Sequence, residues 1–127
     1  MATTARFTGA SNVDNTGRAL LMDYQNPEYA STIAIATDVN ATDTLVQVAR
    51  LTGALTMTIG VGTSTTAPYV GDKVRILFSA DGTNRVVTFG TGFVSSGTLT
   101  VTASKFASVL AVFNGTAWQV VGREITA

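Results

Sequence analysis

Apolar and polar side chains alternate along most of the chain after residue 30. From Leu55 to Val61 every second position is apolar, and Thr56, Thr58 and Gly60 lie between them. Because neighbouring side chains of a β-strand point to opposite faces, this period of two predicts a strand with one buried and one solvated face. The same pattern predicts seven further strands, at residues 32–37, 45–51, 74–78, 85–89, 98–102, 106–113 and 118–122.

Two dipeptides with hairpin-turn chemistry separate neighbouring strands. Asp81-Gly82 follows the strand at 74–78, and Asn114-Gly115 follows the strand at 106–113. Glycine adopts positive φ without steric cost, so both sites predict hairpins. Short strands joined by such turns are typical of an antiparallel β-sandwich or a small barrel, and we expect an all-β fold of about eight strands. The pattern does not separate a jelly-roll from an immunoglobulin-like strand order.

The strand at 106–113 is apolar on both faces, because residues 109–113 run without a polar side chain. Such a strand needs cover on both sides, since an exposed apolar strand invites aggregation. Two interpretations stay open. Either the strand lies at the centre of a sheet within this chain, or it contacts another subunit.

Residues 1–30 interrupt the alternation with Gly, Asn and Pro, and no core element is predicted there. We therefore divide the chain into an extended N-terminal arm, residues 1–30, and a single β-sandwich domain, residues 31–127. The arm carries more large apolar side chains than a solvated tail would. They are Phe7, Leu20, Leu21, Met22, Tyr24 and Tyr29. These side chains either fold back over their own domain or reach a neighbouring subunit.

The composition agrees with a β-rich structural domain. The 127 residues suit one core, and the 22 Thr and 15 Val favour strands, because β-branched side chains lose rotamer freedom in a helix. Eight basic and eight acidic residues give a net charge of zero without a run of like charge, so neither nucleic acid nor a membrane surface is an expected partner. The first residues lack the apolar stretch of a secretory signal.

Side chains suited to catalysis or metal binding are sparse. The chain has no histidine and no cysteine, which removes the commonest general base and the commonest zinc ligands. Asp72 and Asp81 adjoin glycines, where acids form turns more often than they act in catalysis or bind calcium. The Gly-rich segments 59–62 and 89–92 lack the lysine and the following helix of a phosphate-binding loop. We expect no catalytic residue, no metal site and no cofactor.

Trp118 is the single tryptophan and follows the Asn114-Gly115 turn. A lone Trp on an alternating strand is more typical of a core or an interface than of a sugar-stacking platform. Six of the eight basic residues are Arg, whose planar guanidinium suits contacts between proteins. The candidate interface residues are Phe7, Leu20, Leu21, Tyr24, Tyr29, Trp118 and Arg123.

The C-terminal half, about residues 45–124, resembles β-domains of tailed-bacteriophage virion proteins, which include head-decoration proteins and head or tail fibres. The similarity lies in the order of strands and turns and in a terminal cluster of Asn-Gly, Trp and Gly-Arg. The segments that carry it are Val70-Gly71-Asp72-Lys73-Val74, Phe78-Ser79-Ala80-Asp81-Gly82-Thr83, residues 87–93, Lys105-Phe106-Ala107 and residues 113–123.

The resemblance implies a structural protein of the virion surface, made in the cytoplasm of a bacterial host. We expect from it a capsid decoration protein, a homotrimer that stabilises the shell through contacts with the major capsid protein or another virion protein. A fibre protein normally has a long repetitive shaft, and this sequence has none. The alternative is a receptor- or glycan-binding module of a head or tail fibre, which would use Trp118 or the loop at 60–68.

Overall fold

The computed structural model describes residues 21–38, 40–62, 68–94 and 97–125, and no helix occurs among them. The all-β prediction is confirmed, and each of the eight predicted strands overlaps an observed one, although the strand predicted at 45–51 begins and ends four residues earlier. The strands are β1 (Leu21–Gln25), β2 (Thr32–Ile35), β3 (Ala41–Gln47), β4 (Leu55–Ile59), β5 (Lys73–Ser79), β6 (Arg85–Phe89), β7 (Phe93–Val94), β8 (Thr98–Val101), β9 (Phe106–Phe113) and β10 (Trp118–Ile125). Nothing in the described ranges could cross a membrane as a helix.

The strands form two open sheets. The six-stranded sheet has the order β1-β3-β5-β9-β10-β7, and the four-stranded sheet has the order β2-β4-β6-β8. Successive strands from β1 to β9 alternate between the two sheets, so each of these connections crosses from one sheet to the other. Neither sheet closes on itself, and the arrangement is therefore sandwich-like rather than a barrel.

The prediction of antiparallel pairing is wrong for most of the two sheets. β1, β3 and β5 run parallel, β2, β4 and β6 run parallel, and β7 is parallel to β10. Antiparallel pairs are β5 with β9, β9 with β10, and β6 with β8. From β1 to β6 the chain crosses between the sheets and each time returns in its original direction, whereas β9, reached after β8, runs opposite to β7. Side-chain alternation is the same for either direction, so it does not distinguish the two pairings.

Of the two predicted hairpins, the one at Asn114-Gly115 is confirmed. It joins β9 to β10 and places Phe113 opposite Trp118. Gly115 has a φ of 102°, which favours glycine. The Asn114 side-chain oxygen accepts hydrogen bonds from the backbone N–H groups of residues 116 and 117, both at 3.0 Å. The turn is therefore stabilised by its own side chain.

The hairpin predicted at Asp81-Gly82 is wrong, because this segment connects β5 in one sheet to β6 in the other. The Asp81 carboxylate accepts two hydrogen bonds from the Arg85 guanidinium, each 2.8 Å long, and a third from the backbone N–H of Thr83 at 3.3 Å. The bidentate contact with Arg85 lowers the pKa of Asp81 below its ordinary value. Turn chemistry at this dipeptide was correctly predicted, but it serves a crossing between sheets.

Replacing Asp81 with asparagine is expected to lower stability at neutral pH and to have little effect in acid. Because the pKa of Asp81 is lowered in the folded state, its ion pair stabilises the fold above the ordinary carboxyl range, and this contribution disappears as the pH falls through the lowered value. Urea midpoints of the wild type and of D81N, measured at pH 7 and at about pH 2, check this. A gap of the same size at both pH values would contradict the assignment.

One hydrophobic core lies between the two sheets. Burial alternates along β4, β5 and β9, as the period of two predicts. The largest fully buried side chains come from both sheets and include Trp118, Phe78, Leu55, Met57 and Ile76. Each fully buried aliphatic side chain contributes roughly 1.5–3 kcal/mol of transfer free energy. The core therefore supplies a rigid support for the outward side chains of both sheets.

β1 lies in the segment for which no element was predicted, and that expectation is wrong for residues 21–25. The strand pairs in parallel with β3 at the edge of the six-stranded sheet. Met22 and Tyr24 are exposed, so β1 has no buried apolar row that alternation could reveal. Tyr29, also in the predicted arm, packs against the core and donates its hydroxyl hydrogen to the Ala54 carbonyl at 2.7 Å. Residues 1–20 lie outside the described residues.

Candidate interaction surface

The outer face of the four-stranded sheet carries mainly threonine. Neighbouring strands place Thr32 opposite Thr56, Thr56 opposite Thr88, and Thr88 opposite Thr98. The same face includes Thr58 and Thr100 beside Ala34 and Val86. A hydroxyl-bearing surface of this kind is readily solvated, so it needs no further cover.

The outer face of the six-stranded sheet is different, because it is partly apolar. We use "the outer face" below for the outward side chains of β1, β3, β5, β9 and β10. Its apolar members are Met22, Tyr24, Leu45, Leu77, Phe106, Leu110 and Val112, and its charged members are Asp43, Lys73, Arg75 and Glu124. Exposed apolar groups from several neighbouring strands are typical of an interaction surface.

The register of the strands brings these side chains into rows across the sheet. One row runs from Leu45 through Arg75 and Leu110 to Gly122. The next runs from Gln47 through Leu77 and Ser108 to Glu124. Side chains directly opposite one another on neighbouring strands lie within about 5.5 Å, so each row is a continuous strip of surface.

A shallow trough follows β9 across the outer face. It consists of two adjoining depressions, of about 440 Å³ beside Phe106 and about 310 Å³ beside Leu110. Leu77, Ser108 and Glu124 line both depressions. The small side chain of Ser108 between larger neighbours gives the trough its depth, and the apolar walls suit the side chains of another protein.

The position of β9 bears on the two interpretations of its unbroken apolar run, which were a central strand of this chain or a contact with another subunit. It is central in its sheet, between β5 and β10, and its alternate residues from Ala107 to Phe113 are buried in the core. The opposite row begins with Phe106, which is 64% exposed. The within-chain interpretation is therefore confirmed for one face of β9, and the described residues leave the other face partly exposed.

Trp118 belongs to the core, as one of the two leading interpretations predicted. The side chain is 1% exposed, and its ring is tilted against Phe113 with 5.4 Å between ring centroids. Its indole Nε1–H donates to the Gly60 carbonyl at 3.0 Å. A side chain buried in this way offers no surface to a second protein or to a sugar, so the interface role predicted for Trp118 does not fit the structure.

The other candidate interface residues lie in different places. Tyr24 is on the outer face, where its hydroxyl donates to Gln47 Oε1 at 2.9 Å. Arg123 reaches towards the four-stranded sheet, with Nη1 donating to the Thr98 carbonyl at 2.9 Å and the guanidinium 5.4 Å from the Phe89 ring centroid. Leu21 contributes backbone to β1. Phe7 and Leu20 lie outside the described residues.

The two acids next to glycines act as turn formers. Asp72 is buried, and its Oδ2 accepts a hydrogen bond from the Tyr69 backbone N–H at 3.0 Å. Asp81 accepts from Thr83 and Arg85, as described above. Within the described ranges no three potential metal-ligating acids come together.

Several residues that line the trough beside Phe106 and Leu110 were not predicted from the sequence. They are Leu77, Ser108, Gly122 and Glu124. The available signal was the apolar run at 109–113, which marks β9 as a strand with two apolar faces. The register that brings β5 and β10 beside it cannot be derived from alternation.

Comparison of the sequence with models of known protein families and with curated proteins finds no match to either. The fold and the surface therefore assign the protein to a structural class. This is an all-β protein of two mixed sheets around one core, with a partly apolar sheet face that no described residue covers.

Proposed function

We propose that this chain is a structural protein that decorates or stabilises a phage capsid. In this proposal it forms a homotrimer and contacts the major capsid protein or another virion protein at the virion surface. The observation that carries the proposal is the partly apolar outer face, because an assembly protein needs such a face and an isolated domain does not. The phage setting rests on the resemblance of residues 45–124 to virion β-domains.

The distribution of side chains on the outer face suits a contact between proteins. Phe106, Leu77 and Leu110 lie around the trough, while Asp43 and Lys73 lie further out. Specific interfaces combine an apolar centre with a polar rim in this way. Burying the centre against a partner contributes about 25 cal/mol for each Å² of apolar surface.

The role needs a rigid scaffold and a complementary surface, and it requires no reacting side chain. The two sheets around one core supply the scaffold. The alternative, a glycan-binding module of a fibre, is less well supported because the Trp118 ring is buried and cannot stack on a sugar. We therefore favour decoration.

Co-sedimentation with undecorated capsids of the parent phage tests the proposal. The wild-type chain is expected to pellet with capsids, and F106D is expected to bind at least about 10-fold more weakly, since an exposed aromatic that a partner buries is a common hot spot. V86D is the matched control, because Val86 is an exposed apolar residue on the opposite sheet. A wild-type chain that stays in the supernatant would sink the proposal.

A deletion that tests the predicted arm should end before β1, which begins at Leu21. Removing residues 1–30 would take away β1 and Tyr29, so loss of binding would not be separable from damage to the fold. Removing residues 1–20 keeps both. If the arm contacts the shell, this shorter deletion is expected to abolish pelleting while the urea midpoint stays unchanged.

A further inference from the structure

We infer that the outer face packs against a second copy of this chain, with Arg75 of one copy paired to Glu124 of the next. The inference rests on the self-assembly in the proposed function and names the surface and the charges that would carry it. Its occupant is another copy, because the two halves of the outer face are complementary to each other.

Arg75 and Glu124 lie on opposite sides of β9. Arg75, on β5, is opposite Leu110, and Glu124, on β10, is opposite Ser108. Two strand spacings, about 10 Å, separate the backbones at these two positions. Neither side chain forms an ion pair with any of the described residues. Both charges are exposed, so a neighbouring copy can reach them.

The two sides of the trough differ in net charge. β5 presents Lys73 and Arg75 outward, and Asp43 on β3 lies opposite Lys73, so Arg75 is the unbalanced positive charge of this side. Glu124 is the outward charge of β10. If the β5 side of one copy meets the β10 side of the next, unlike charges come together and like charges stay apart. Such complementarity fixes the register and excludes wrong pairings.

The shapes of the two sides also fit. Leu77 projects from β5, and Gly122 on β10 leaves a gap without a side chain in the row next to Glu124. A contact that places Leu77 of one copy over Gly122 of the next also brings Arg75 towards Glu124.

The outer face is large enough for a specific contact. Five strands at about 4.8 Å spacing and seven residues at about 3.3 Å give a flat area of roughly 550 Å². The relief of the side chains adds to this area. The total approaches the roughly 800 Å² that each partner contributes to a specific interface.

Charge reversal tests the inference with the full chain. R75E and E124R are each expected to lower the self-association constant at least about 10-fold, because each brings like charges together. The double variant R75E/E124R is expected to return to within about threefold of the wild type, since the pair is restored with reversed sign. Sedimentation velocity at micromolar concentration gives the constants.

R50E is the matched control, because Arg50 is exposed and lies outside the outer face. It changes the net charge as much as R75E does and is expected to leave association unchanged. Urea midpoints show whether each variant keeps its fold.

The outcomes separate this inference from the proposed function. A self-associating wild type whose double variant stays as weak as the singles would overturn the Arg75–Glu124 contact and leave capsid decoration standing. A wild type that sediments as a monomer also overturns the inference, and the capsid assay then decides on decoration independently. Restored association in the double variant, with R50E unaffected, supports the inference.

Discussion

Replacing Trp118 with alanine is expected to lower the free energy of unfolding by about 3–5 kcal/mol. The indole is 1% exposed, packs against Phe113 and spans the core to reach the Gly60 carbonyl. Alanine would remove the largest buried side chain and leave a cavity between the sheets. Urea denaturation followed by far-ultraviolet circular dichroism measures the loss.

Two further substitutions separate the causes of this loss. Trp118→Phe keeps an aromatic ring but removes the hydrogen-bond donor to the Gly60 carbonyl. We therefore expect it to lower the free energy of unfolding by about 1–3 kcal/mol. Phe106→Ala removes an aromatic that is 64% exposed and should cost less than about 1 kcal/mol. If W118A and F106A were equally stable, the core position of Trp118 would be wrong.

Gly92→Ala is expected to destabilise the fold by at least about 3 kcal/mol, or to prevent folding. A Cβ at this position would overlap the Ile59 carbonyl oxygen and press on the Ile59 side chain. The backbone φ of 95° adds strain for any residue with a side chain. The Gly92 carbonyl also accepts the Trp118 backbone N–H at 2.8 Å, so a shift here would disturb β10.

Gly71→Ala is the matched control for Gly92→Ala. Gly71 has a φ of 94°, but a Cβ there would meet nothing within 4 Å. This variant therefore reports the conformational strain by itself, which we expect to cost about 1–2 kcal/mol. The difference between the two urea midpoints measures the overlap with Ile59. Equal midpoints would show that the segment around Gly92 has room to move.

The positions of the strands could be predicted from the sequence because burial imposes a period of two. Residues 55–59 and 106–113 show this directly, since their buried positions are those that alternation selects. The turn at Asn114-Gly115 was equally predictable, because its side-chain and backbone requirements are local. Local chemistry and burial are the parts of the fold that are encoded within a few residues.

The pairing of the strands could not be predicted in the same way. Asp81-Gly82 has hairpin chemistry, yet the strands on its two sides enter different sheets. An arch between sheets and a hairpin within one sheet both require a tight change of direction. Which of them forms depends on contacts with strands far along the chain. The alternation of apolar and polar residues does not predict those contacts.

The apolar character of the candidate surface could be predicted from the sequence, but most of the residues that form it could not. The apolar run at 109–113 indicated a strand with an apolar second face, and the outer face is that feature. Its partners on β5 and β10, including Arg75 and Glu124, follow only from the register. Tyr24 was identified as one of the large apolar side chains of the predicted arm. Trp118 was identified as the single tryptophan, which a core position explains equally well.

The alternation of strands between the sheets has a consequence for how this chain folds. The pairing of β9 with β10 is the single case in which consecutive strands of the described chain are sheet neighbours, and it lies near the C-terminal end of the described chain. Every other pairing closes a loop that contains at least one strand of the opposite sheet, and the entropy of that loop must be lost before the contact stabilises anything. β5 gains its second neighbour only when β9 pairs with it. Folding should therefore be slow, with transiently open strand edges.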